Sequence, residues 1–113
     1  MALSEYFATG PAFERPVFDA VMAHLETIGP VHVEPVSVGI FLKRAGTIAE
    51  LRPMRQWTAI SFTLQRVVQH PRIVRKPILN HGGRFLHVAN IATPDDLDAE
   101  LRGWLTEAYL DAG

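Results

Sequence analysis

The sequence predicts an α+β domain, an antiparallel meander sheet of four or five strands with an N-terminal and a C-terminal helix packed on one face. Three observations carry this reading. Apolar residues recur at three- and four-residue spacing between positions 13 and 28, the period falls to two between 31 and 91, and helical spacing returns after a capping signal at Thr93-Pro94. At 113 residues the chain has the size of one domain, enough to bury about two thirds of its unfolded surface.

The first ten residues show no clear period and are expected to be extended or poorly ordered. Phe13, Val17, Phe18, Val21, Leu25 and Ile28 then form one stripe, with Asp19 and Glu26 turned to water. Pro16 lacks an N–H and clashes with the carbonyl four residues back, so regular helix begins at about 13 to 16, and Gly29-Pro30 ends it. Val31 and Val33 suggest a short strand before Pro35. Val36, Val38, Ile40 and Leu42 alternate with more polar neighbours as one half-buried strand. Ala45-Gly46 turns the chain into a weaker strand at Thr47 to Arg52, and Pro53 to Gln56 turns it again into Ile60, Phe62 and Leu64. Residues 66–83, with Pro71, Pro77 and Gly82-Gly83, read as a long irregular connection before a last strand at about Arg84 to Ile91. Thr93-Pro94-Asp95-Asp96 supplies a cap, a proline at the first helical position and acids at the positive end of the dipole, so the closing helix is expected to start at Pro94. Leu97, Leu101, Trp104, Leu105 and Ala108 form its stripe.

Composition excludes several classes. Hydrophobic residues at 48% and charged residues at 20% are ordinary for a globular protein, and no apolar run reaches the ~20 residues of a membrane span. The start MALSEYFATG has no basic leader and no apolar core, so a cytoplasmic, soluble protein is expected. The absence of cysteine removes disulfides and thiolate chemistry. Walker, GxGxxG, GxSxG, HExxH and EF-hand patterns are absent, and nothing calls for a cofactor. His70, His81 and His87 lie near one another in sequence, but no carboxylate stands between 70 and 87 to complete a metal site, so no metal is assigned.

Charge is distributed unevenly. Nine of eleven basic residues fall between 43 and 84 with Glu50 as the only acid, while six acids lie in the last nineteen residues. This pattern has two readings: a basic surface for an anionic partner, or a basic middle neutralised within the fold by acidic helices. On the first reading Arg66, Arg72, Arg75, Lys76 and Arg84 are candidate ligand-binding residues, joined by Ser61 and Thr63, whose hydroxyls alternate to the polar face of their strand. A nucleic-acid contact has thinner support, since Phe41 and Trp57 are the only aromatics offered for stacking. On an enzymatic reading, His87 or His70 is the acid/base candidate with Arg84 as electrophile. His87 equally suits a core position with both nitrogens satisfied.

Four segments carry a resemblance: Phe7-x-x-Gly10, a first helix closing in Ile28-Gly29-Pro30, a strand running into Lys43-Arg44, and Asp98 to Tyr109 (DAELRGWLTEAY). Over about residues 7 to 110 the chain resembles the bacterial domain family DUF5655, with Ile48 where the family usually has an aromatic. The resemblance implies a shared fold and brings no activity with it. The function expected is therefore a non-catalytic module binding an anion, whether a phosphorylated metabolite, a nucleic acid or an acidic protein surface. The alternative is a small cofactor-independent enzyme. Oligomeric state is left open, and no membrane partner is expected.

Overall fold

Six strands order as β1-β2-β3-β4-β6-β5, every neighbouring pair antiparallel, in a computed structural model that describes residues 2–113. The elements are α1 (Leu3–Ala8), α2 (Glu14–Glu26), β1 (His32–Val36), β2 (Gly39–Lys43), β3 (Thr47–Pro53), β4 (Thr58–Leu64), β5 (Ile78–Leu79), β6 (Phe85–Ile91) and α3 (Ala99–Asp111), with 3-10 turns at His81–Gly83 and Pro94–Asp96. The α+β class and the two helices on one sheet face stand as expected, and the sheet gains a strand.

Alternation decides which face is covered. Ile40, Leu42, Leu51, Ile60, Phe62 and Leu64 are buried against Val17, Val21 and Leu25 of α2 and Leu101, Trp104 and Leu105 of α3. Fully burying each such side chain contributes roughly 1.5–3 kcal/mol. The register fixes this face, because Ile40 opposes Leu51, Leu51 opposes Ile60 and Ile60 opposes Ala89. Ile48 is the extra residue of a bulge against Leu42 and Lys43, and the bulge buries both Ile48 and Ala49. Among the described residues, no helix is long and apolar enough to cross a membrane.

Four local expectations are corrected. Residues Leu3–Ala8 are helical rather than extended, held by Tyr6, which is buried and meets Phe7 edge-to-face, while Phe7 in turn meets Phe18 of α2. The strand expected over 36 to 43 is a hairpin broken at Ser37-Val38, with Val36 opposite Gly39. Alternation cannot reveal a two-residue turn that keeps the period on either side of it. Gly39 is required there, since a β-carbon would stand 2.6 Å from the Leu51 carbonyl oxygen of β3. The connection 66–83 contributes strand β5, and Ile73 bridges Ala89, so it extends the sheet past β6. Lastly, Pro94–Asp96 forms only a 3-10 turn, in which the Asp96 carboxylate accepts the N–H groups of Ala92 and Thr93. Leu97 leaves helical geometry, and Asp98 starts α3 by accepting the Leu101 N–H at 3.0 Å.

Candidate anion-binding groove

The two histidines have different surroundings. His87 is fully buried on β6, stacked on Phe62 with centroids 5.6 Å apart. Its Nε2 accepts the Val68 N–H at 3.0 Å, which leaves Nδ1–H to donate to the Phe85 carbonyl at 2.8 Å. Burial pushes its pKa down, and the Phe85 bond opposes this only in part. Both nitrogens are occupied and the ring is buried, so His87 pins the start of the 66–77 segment and does not face an open site. His70 is half-buried, meets Trp104 edge-to-face at 5.1 Å and accepts the Arg72 N–H through Nδ1 at 3.1 Å. Its Nε2 stands 3.4 Å from a Glu100 carboxylate oxygen.

Three of the five candidate cations, Arg66, Arg72 and Arg84, are spent on α3 and its cap. Arg66 grips Glu107 through two N–H donors at 2.9 and 3.1 Å. Arg72 donates to the Asp98 carboxylate at 2.6 Å and to the Asp96 carbonyl at 2.7 Å, clamping the loop to the start of α3. The backbone N–H of Leu101, followed by Arg72, holds the Asp98 carboxyl below its ordinary range. Arg84 donates to the Asp111 carbonyl at 2.8 Å and pairs with its carboxylate at 2.9 Å. Arg84 is thus no free electrophile, and His87 and Arg84 do not share an open site. These contacts match the reading in which acidic and basic segments neutralise one another.

Ser61 and Thr63 are half-buried on the sheet face that the helices leave open, beside a depression of about 280 Å³ that Phe41, Glu50, Asn80 and Leu86 also line. Arg66 and Arg84 turn to α3 instead, and Glu50 stands directly opposite Ser61. The expected cluster of hydroxyls and guanidinium groups does not assemble, because an acid occupies the place a cation would need.

Arg75 and Lys76 remain. Among the described residues no carboxylate oxygen lies within 4.0 Å of either, and both are exposed. They border a groove of about 420 Å³ under the bow of the 67–77 segment, walled by Val67, Val68, Ile73, Pro77 and Phe85, with His70 and Gln69 on its margin. The bow is anchored at both ends: Val68 N–H bonds to His87, and Val74 N–H donates to the Val88 carbonyl at 2.9 Å. The cations were legible in the sequence. The apolar walls were not, because residues 67, 73 and 77 follow neither period and meet Phe85 only when the loop folds against β6.

Searches of curated proteins and of solved structures return no match to this chain. The family comparison does. A domain of unknown function, DUF5655, matches residues 3–112, nearly the whole chain, and the protein belongs to that family.

Proposed function

We propose that this domain is a non-catalytic binding module for a small amphipathic anion, a carboxylate or phosphate monoester whose apolar body enters the 67–77 groove. One observation carries the reading: the two adjacent cations that α3 leaves unneutralised stand beside an apolar groove. Arg75 supplies a planar fork for two anion oxygens and Lys76 a mobile point charge, while Val67, Ile73 and Phe85 take the apolar part. Water excluded from that wall strengthens the ionic contact, and the anchors at Val68 and Val74 reduce the ordering cost of binding. Extended nucleic acid is a poorer fit. Two phosphate contacts would give a log–log salt slope of only about −1.8 on duplex DNA.

The test is a thermal-shift and tryptophan-fluorescence titration with hexanoate, phenyl phosphate, inorganic phosphate and short duplex DNA. Trp104 touches His70 at the groove margin and should report occupancy. Hexanoate or phenyl phosphate should raise the melting temperature more than inorganic phosphate, because a ligand that binds only the folded state stabilises it. The Arg75→Ala/Lys76→Ala double variant should fold normally and lose the effect. Equal responses in the double variant and the wild type, or no response to either amphipathic anion, would remove the proposal.

A further inference from the structure

A second site lies at the N-terminal end of the chain and shares no lining residue with the groove. Glu14, in the first turn of α2, is 2% exposed. Its Oε2 accepts the Tyr6 hydroxyl of α1, and its Oε1 has no hydrogen-bond partner among the described residues. A buried carboxylate oxygen without a partner carries its desolvation cost uncompensated. Gly10 leaves room for the carboxyl in this position, since a β-carbon there would crowd Oε1.

Glu14 lines a cleft of about 380 Å³ between the α1–α2 junction, the Ser37 turn of the β1–β2 hairpin and Pro53 at the end of β3. The other side chains facing it are Glu5, Tyr6, Thr9 and Pro11. Two carboxyl groups and three hydroxyls thus line the cleft with no cationic side chain among them. A hard metal ion would ask for about six oxygen ligands, whereas no cluster of three or more His, Cys, Asp or Glu side chains able to hold a metal occurs among the described residues. An N–H cation needs only one buried acceptor and a few hydroxyls.

We propose that this cleft binds an organic cation bearing a primary ammonium or guanidinium group, with Glu14 as its buried counter-ion and Glu5 at its mouth. The ligand's N–H donates to Oε1, Tyr6 keeps Oε2, and Ser37 and Thr9 are available to the remaining donors. Burial raises the Glu14 pKa, while the Tyr6 bond opposes this. A cation favours the carboxylate form, so binding should release a proton at mildly acidic pH and weaken as the pH falls. Glu5 and Tyr6 are the other titratable groups facing the cleft. The Tyr6 phenol is raised far from this range, chiefly by burial.

The experiment uses agmatine and pentane-1,5-diamine as probes, with pentanol and sodium chloride as controls at matched ionic strength, read by thermal shift and by amide NMR of the wild type. Both cations should raise the melting temperature saturably and move the Thr9, Gly10 and Ser37 amides, whereas the controls should not. Affinity should fall about tenfold per pH unit below the Glu14 pKa. Glu14→Gln should weaken binding at least about tenfold and remove that dependence. Arg75→Ala/Lys76→Ala should bind agmatine normally, which separates this site from the anion groove. If Glu14→Gln does not fold, the wild-type amide shifts and their pH dependence decide. Absent or salt-like shifts at those three amides, or unchanged affinity in folded Glu14→Gln, would overturn the proposal.

Discussion

Replacing His87 with glutamine should flatten the acid side of the stability profile. The wild-type imidazole is neutral, with burial pushing its pKa below the ordinary 6.5, while in the unfolded chain it titrates near that value. The folded state therefore binds fewer protons as pH falls through the mid-sixes, and unfolding takes one up. For a depressed histidine the stabilisation is fully present above about pH 6.5 and is lost below it, by at most about 1.4 kcal/mol per pH unit until the folded pKa is reached. Glu14 acts with the opposite sign: its raised pKa favours the folded state at low pH and loses that contribution as pH rises through the folded value. The wild-type curve is a sum of the two, and the difference between wild type and variant isolates His87. Glutamine keeps an oxygen that accepts the Val68 N–H but loses the stack on Phe62, so at about pH 8 the variant should be less stable by about 1–2 kcal/mol. Urea unfolding followed by tryptophan fluorescence, repeated from about pH 8 to about pH 5, gives both curves by linear extrapolation. The gap should narrow as pH falls. A gap constant with pH, or one that widens toward acid, would show that His87 is charged or accessible and refute the description of the core.

Two further substitutions test the packing. Trp104→Ala should cost about 3–5 kcal/mol, since it empties a site between Phe62 and His70, and an unchanged melting temperature would mean that α3 presents another face. Asp98→Ala should lose about 1 kcal/mol from the cap, with little added from the Arg72 pair because Asp98 is 46% exposed. Asp98→Asn should recover most of the loss, and a larger effect of Thr93→Ala than of Asp98→Ala would place the helix start back at Pro94.

The sequence by itself determined the α+β class, the stripes of α2 and α3 and the inward residues of β4, because periodicity and turn chemistry act between near neighbours in the chain, whereas the bulge in β3 and the buried face of β6 were set by packing. It offered one capping signal at the closing helix, Thr93-Pro94, and only the structure showed that Asp98 begins it. Tertiary structure decided the rest. Arg66 meets Glu107 across 41 residues and Arg72 meets Asp98 across 26, pairings that depend on how α3 lies over the sheet. That placement pairs three of the candidate arginines with acids of α3 and its cap and leaves Arg75 and Lys76 without a carboxylate partner among the described residues. The strand Ile78–Leu79 carries no period in two residues and exists through pairing with β6. Glu14 carries no signal in the sequence pattern, and the packing of α1 against it made it buried. Local rules specify which side chains a segment offers, and the distant surface that packs against each one determines its charge state, its partners and its access to a ligand.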